Sequence, residues 1–237
     1  MQFLDIERLN DLDARSFRAA RPYPWVNPRG LLTEAGYRRL CDTLPDLSLF
    51  EERFGEARKF GQQSHDRYNL EFCETCGVSD DWRAFIRELE GPVYGRFLRR
   101  MFKRRLLSLR FHWHFTPSGC SVSPHCDSKS KLGSHLFYFN TADDWDPSWG
   151  GQTLILDDGG RFDRKSAAAF EDFDRVIEGE SLGNASLLFM SKGASWHGVK
   201  EITCPPDRLR KVFIVVINSG SALGEFRRLL KRPAVAA

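Results

Sequence analysis

The run Leu106-Leu-Ser-Leu-Arg-Phe-His-Trp-His-Phe115 marks a change of texture in the chain. Short runs of similar make-up follow at 136–140, 153–156, 186–190 and 212–217, the last reading Val212-Phe-Ile-Val-Val-Ile217. Turn residues separate them: Pro117-Ser-Gly119, Trp149-Gly-Gly151, Asp157-Asp-Gly-Gly160 and Pro205-Pro206. Strands at this spacing, with no helical segment long enough to alternate with them, predict an antiparallel sandwich or barrel-like core over 106–218. The stretch from Arg161 to Gly183 is the exception. It is charged, carries Phe162, Phe170 and Phe173, and reads as a long excursion from the sheet, of the kind that serves as a lid or rim.

Toward the N-terminus, residues 29–102 carry helical periodicity in two places. Leu32, Leu40, Cys41 and Leu44 lie near helical spacing before Pro45 ends the pattern. Further on, Trp82, Phe85, Ile86 and Leu89 precede Pro92, and Tyr94, Phe97, Leu98, Met101 and Phe102 follow it at i, i+3, i+4, i+7 and i+8. Ser79, Asp80 and Asp81 supply capping chemistry just ahead of Trp82. The basic residues Arg99, Arg100, Lys103, Arg104 and Arg105 are read as the solvated face and favourable C-terminal charge of that helix, not as a phosphate site. Glu225 to Lys231 reads as a short closing helix. The expected architecture is mainly β with flanking helices. One domain spans 1–237, with a mainly helical front piece (1–105), a β core (106–218) and a C-terminal helix or tail (219–237).

Composition bounds the function. With 35 basic and 32 acidic side chains the net charge is +3, and 41% hydrophobic and 28% charged residues exclude a disordered, collagenous or coiled-coil chain. So near a balance offers nucleic-acid phosphates little attraction. No apolar run approaches the roughly 18 residues of a membrane span. The opening Met1-Gln-Phe-Leu-Asp-Ile-Glu-Arg8 lacks the basic and apolar regions of a secretory signal, so the expectation is a soluble cytoplasmic protein without membrane or nucleic-acid partners. The six cysteines are then expected as reduced thiols. Cys73-Glu-Thr-Cys76 shows two of the four soft ligands a structural zinc needs and is read as a turn.

The residues with chemistry in them are His125-Cys126-Asp127 and, far downstream, His197. On a strand, positions i and i+2 project from one face, so His125 and Asp127 can converge while Cys126 points away. A histidine from a distant strand completes a triad of two imidazoles and a carboxylate, the set expected for a non-heme Fe(II) oxygenase with about three coordination positions open. Beyond His197, Asp207-Arg-Leu-Arg210 leads into the apolar strand. An arginine at the mouth of a buried strand needs an anion, and a dicarboxylate would pair with it bidentately. Spacing alone leaves Arg208 and Arg210 both open. His112-Trp113-His114 is a rival i, i+2 pair, but it lacks the glutamate a cupin site would add, and is read as strand histidines near the pocket rim. His135 is expected at a surface or strand start, His65 in a polar segment without partners. Trp196, beside a ligand, is expected to face away and pack, and Cys126 to be a small core residue.

Taken together, His125-x-Asp127, Tyr138-Phe-Asn140, Trp149-Gly-Gly151, His197-Gly198 and the Arg210-led strand resemble the Fe(II)/2-oxoglutarate-dependent dioxygenases of the prolyl-4-hydroxylase-like branch. There a YLN strand follows HxD, a WGG turn leads the next strand and an RKSL-like strand follows the second histidine. The likeness spans roughly residues 106 to 218. It implies a double-stranded β-helix (jelly-roll, cupin-like) with iron on His125, Asp127 and His197, and Arg210 on the distal carboxylate of 2-oxoglutarate. O2 is the other co-substrate, with ascorbate as a reductant. The implied reaction oxidatively decarboxylates 2-oxoglutarate to succinate and CO2 and hydroxylates a protein side chain such as proline, or a small molecule. Two departures stand out. Val212 and Phe213 replace the usual Ser-Leu, and Phe115 stands where related enzymes often have a tyrosine reaching the co-substrate. Two other readings fit less well. An AlkB-type nucleic-acid demethylase would carry an RxNxTxR strand, where this chain reads Arg210-Lys-Val-Phe-Ile-Val-Val216. A non-catalytic module retaining the fold would not need a complete ligand set.

Overall fold

A computed structural model describes residues 1–220. Two antiparallel sheets face one another, and helices cover the outer side of the larger. The helices are α1 (Ile6–Asp11), α2 (Ala14–Ala19), α3 (Glu34–Asp42), α4 (Asp80–Leu89) and α5 (Pro92–Phe102). The strands are β1 (Trp25–Val26), β2 (Glu51–Arg53), β3 (Arg67–Glu71), β4 (Leu107–Thr116), β5 (Val122–His125), β6 (Lys131–Tyr138), β7 (Leu154–Asp157), β8 (Arg175–Ile177), β9 (Ser186–Met190), β10 (His197–Val199) and β11 (Arg210–Ser219). The seven-stranded sheet has the order β1-β9-β6-β11-β4-β3-β2, and the four-stranded sheet β5-β10-β7-β8.

Local chemistry sets the helix bounds. The Ser79 hydroxyl accepts from the Trp82 amide at the start of α4, satisfying a donor that has no partner within the helix. Pro92 then opens α5 in its first turn, where its missing N–H costs nothing. Lys103, in the left-handed conformation, ends it. Their apolar faces bury Trp82, Phe85, Ile86 and Leu89 from one helix and Tyr94, Phe97, Leu98, Met101 and Phe102 from the other.

The central strand β11 pairs with β4 along its whole length, from Arg210↔Thr116 to Ser219↔Leu107, and with β6 on its other side. Alternation along the pleat divides its residues. Phe213, Val215 and Ile217 join Phe111, Trp113 and Phe115 of β4 in the core beneath the helices. Arg210 and Ile214, with His114 of β4, turn to the inner side, where they wall a cavity between the sheets.

The mainly β, jelly-roll expectation holds. Several elements differ from their sequence reading. The front piece is not only helical: β1 pairs with β9 and β3 with β4, so it widens the large sheet on both edges. Arg67-Tyr-Asn-Leu-Glu71 has no apolar run because only Leu70 in it is fully buried. The strand expected at 136–140 begins earlier, at Lys131. β5 and β10 are four and three residues long, too short and polar to register as strands by composition. The 161–183 stretch is a packed strap: Arg175–Ile177 pairs with β7, and the Phe162 and Phe173 rings lie 6.4 and 5.6 Å from the Trp196 ring. The helix expected at 225–231 lies outside the described residues. Among the described residues no helix is long and apolar enough to cross a membrane.

Candidate metal centre

His125 is the last residue of β5 and His197 the first of β10, and the two strands place them directly opposite one another. Their ring centroids are 4.3 Å apart. Gly198 allows this approach, because a Cβ there would sit 2.7 Å from the Val122 carbonyl oxygen of the neighbouring strand. Asp127 lies two residues past the end of β5, so strand alternation is not what aims it. Its carboxylate is held by Lys131 Nζ at 2.9 Å and by the Ser191 hydroxyl at 3.4 Å, while Arg164 donates to its backbone carbonyl. Burial alone would raise the Asp127 carboxyl, but the Lys131 ammonium beside it outweighs burial and holds the group ionised well below the usual carboxylate range.

One ligand atom from each of His125, Asp127 and His197 lies within 4.8 Å of the other two. The two imidazoles are prepared in the same way: each Nδ1 faces the carbonyl two residues earlier, Ser123 O at 2.9 Å and Ser195 O at 2.9 Å. A carbonyl only accepts, so each Nδ1 carries the proton and each Nε2 keeps its lone pair for a metal. Burial pushes both imidazoles below their ordinary pKa, which keeps them neutral. Two neutral imidazole nitrogens and one carboxylate fit a divalent first-row metal, and are the donor set of non-heme Fe(II) sites.

These side chains border the cavity of about 270 Å³ between the sheets. Arg210 enters its far wall and is 6% exposed. It donates from Nε to the Gly151 carbonyl at 2.5 Å and from Nη2 to the Thr153 hydroxyl at 3.0 Å. The Trp149-Gly-Gly151 turn makes this cradle. Gly151 has φ +94°, and a Cβ there would come within 3.2 Å of Arg210 Cδ. Among the described residues no carboxylate lies within ion-pair distance of this guanidinium. Arg208 precedes β11 and does not share its face; its side chain is 42% exposed and 3.5 Å from Asp207.

Several histidines stand elsewhere than expected. His65 is buried at the site: its ring is 4.4 Å from that of His125, and its Nε2 is 3.1 Å from the Ser123 hydroxyl. Burial, with Arg58 and Arg67 nearby, pushes its pKa down to about 3. Nothing local marks it; only the pairing of β3 with β4 carries it there. His135 is fully buried on the outer face of β6, within hydrogen-bond distance (2.8 Å) of the Tyr94 hydroxyl of α5. Parity again decides, since Ser134 and Leu136 take the cavity side. His114 lines the cavity, as expected for the rim pair, and neither it nor His112 joins the metal-ligand cluster. Phe115 faces the opposite way, stacked on Phe50 at 4.5 Å, so its position opposite a family tyrosine has no bearing on the co-substrate. Trp196 packs away from the triad, as expected. Cys126, expected to point away into the core, is only half-buried: it packs beside the same cluster but also lines the cavity, and burial pushes its thiol up to about 12. The cavity residues that the sequence reading missed are Arg58, His65, Arg67 and Lys131.

Two facing antiparallel sheets of this kind form a double-stranded β-helix, the fold of the solved structures to which this chain is similar. Among solved structures, a Pseudomonas putida prolyl-4-hydroxylase superimposes with a TM-score of 0.62 at 15% identity, covering 91% of this chain and 99% of that one. The 2-oxoglutarate-dependent carbocyclase SnoK of nogalamycin biosynthesis gives 0.63 at 11% identity, covering 93% and 92%. A Trichoplax adhaerens prolyl hydroxylase in complex with a peptide fragment of hypoxia-inducible factor gives 0.60 at 13% identity, covering 96% and 94%. No protein-family profile and no curated protein matches the sequence.

Proposed function

We propose that this chain is an Fe(II)- and 2-oxoglutarate-dependent dioxygenase. It converts 2-oxoglutarate and O2 to succinate and CO2 while hydroxylating a protein side chain, such as proline, or a small molecule. The observation that carries the reading is the pairing in one cavity of the His125–Asp127–His197 cluster with a buried guanidinium, Arg210, that has no anionic partner among the described residues. His125, Asp127 and His197 would hold the iron, and Arg210 the distal carboxylate of 2-oxoglutarate by a charge-assisted pair. Bound iron would supply the activation of O2 and of the co-substrate. The protein's part is orientation: the Ser123 and Ser195 carbonyls fix both imidazoles, Lys131 fixes the carboxylate, and Gly151 and Thr153 fix Arg210. Ascorbate as a reductant follows from the resemblance. The peptide bound to the Trichoplax structure supports a peptide among the possible substrates, and the SnoK likeness supports a small molecule.

The test is anaerobic titration of the metal-free protein with Fe(II) and then 2-oxoglutarate, followed by admission of O2. A weak visible metal-to-ligand band and stoichiometric succinate are expected. A protein that binds iron without developing the band or releasing succinate would be a non-catalytic module.

A further inference from the structure

The cavity does not end at the metal cluster. Arg58, His65, Arg67, Cys126 and Ser128 form a wall shared with a second lobe of about 360 Å³, which opens outward past Lys59, Gln62 and Arg164. Charge in this wall is unbalanced. Arg58 Nε and Arg67 Nε are buried with no hydrogen-bond partner, and neither guanidinium forms an ion pair among the described residues. The one acidic side chain in the lobe, Glu56, already pairs with Arg53 at 2.9 Å. Arg67 Nη1 donates to the His65 carbonyl, but no carboxylate among the described residues lies within ion-pair distance of either guanidinium. Leaving charge in such a wall unbalanced is costly, so two arginines lining one space indicate a place for an anion.

Their position separates this place from the Arg210 cradle. Arg67 opens β3, two strands from β11 across β4, and Arg58 lies in the loop between β2 and β3, close enough to Asp127 to feel its charge and close enough to His65 to help hold that imidazole neutral. An anion held here would lie beside the metal cluster, on a different wall from Arg210. Resting on the dioxygenase reading above, we infer that Arg58 and Arg67 receive the carboxylate or phosphate of a small-molecule substrate and so place its carbon skeleton next to the iron. Guanidinium suits either group by bidentate pairing, and the two lobes have the size of a small-molecule site.

The test is calorimetry of the Fe(II)-loaded protein with saturating 2-oxoglutarate, without O2 and at fixed chloride. Sodium phosphate is titrated in one arm and sodium acetate in the other. One saturable site is expected in at least one arm, and the stronger arm identifies the class of acid. Arg58→Gln and Arg67→Gln should each weaken it about tenfold or more, as expected for loss of a charge-assisted pair, and leave the 2-oxoglutarate band unchanged. Arg210→Met should do the reverse. Arg58 is on a loop, so its variant carries the test if Arg67→Gln fails to fold by circular dichroism. Absence of saturable binding in both arms, or equal binding by wild type and Arg58→Gln, overturns the inference. So does a raised 2-oxoglutarate requirement in Arg67→Gln, which would assign that arginine to the co-substrate. The two questions stay separate: if no band forms on the Fe(II)-loaded protein the dioxygenase reading fails, while the same phosphate and acetate titrations on metal-free protein still test the arginine pair.

Discussion

The two faces of the seven-stranded sheet are built from alternate residues of the same strands, yet they share almost no chemistry. On the outer face Trp82 of α4 meets Trp113 at 5.1 Å and Phe213 at 5.0 Å, and Phe111 stacks on Phe213 at 6.0 Å. These contacts are aromatic and buried, and they hold the sheet to its helices. One residue along each strand, the inner face offers His114, Ser134 and Arg210 to a cavity. The outer face can be this apolar and well packed because it serves stability alone. The inner face keeps buried polar and charged groups whose partners are not all in the protein, a cost tolerated where ligands are bound.

Breaking the inner face at the metal cluster should give the largest effect on activity with the smallest on the fold. His125→Ala, Asp127→Ala and His197→Ala are each expected to reduce iron-dependent succinate release to background, whereas His112→Ala and His114→Ala keep iron stoichiometry; metal analysis beside urea denaturation checks both halves. Loss of iron from the His112 or His114 variant, with retention in His197→Ala, would reassign the cluster. At the cradle, Arg210→Met should raise the 2-oxoglutarate requirement by about two to four decades, from the 3–5 kcal/mol typical of breaking a buried charge pair. Arg208→Met, at the exposed pair, should change it less than about tenfold. Apparent affinities of the two variants decide which arginine carries the role.

The outer face should answer in stability. Phe213→Ala is expected to lower the unfolding free energy by about 3–5 kcal/mol through lost burial and the cavity left behind, measured by urea denaturation. A loss below about 1 kcal/mol would show that the aromatic cluster repacks around the gap. The smallest effect concerns pH. His135, beneath α5, has its pKa pushed by burial from an ordinary 6.5 to about 3. Its contribution is therefore complete above about 6.5 and is lost as pH falls toward 3, because the unfolded chain takes up a proton that the native state refuses. The slope from this one group is at most about 1.4 kcal/mol per pH unit. His135→Leu should flatten the denaturation series between pH 6 and 4; an unchanged slope would place the acid lability elsewhere, His65 being the next candidate with a pKa pushed down to about 3 by burial and by Arg58 and Arg67.

Short-range pattern was enough for much of this. The i, i+3, i+4 spacing of Trp82 to Phe102 marks α4 and α5 because helix period and burial coincide there, and Ser79 caps where expected. The apolar run after Arg210 marks β11 because a central strand buries both its faces. The metal cluster was legible because His125-x-Asp127 lies within three residues and His197-Gly198 follows in the order the resemblance requires. The Trp149-Gly-Gly151 turn was visible as a turn, although its use as the cradle of Arg210 was not.

Tertiary pairing decided the rest. Asp127 converges on the histidines because Lys131 and Ser191 hold it in a loop, not because a strand alternates. Phe115 and His135 turned out to face the helical core and His114 the cavity, since which parity of a strand faces inward is set by what packs on each side of the sheet. Arg58, His65 and Arg67 come from a polar segment with no motif, carried to the cavity wall when β3 pairs with β4 some 40 residues later. Sequence marked the long apolar strands and helices and singled out His125, Asp127 and His197 as candidate metal ligands, because each signal there spans only a few residues. The depth of Arg210, the fourth histidine and the unpaired arginines beside the metal cluster depend on contacts between distant strands, and no local pattern encodes them.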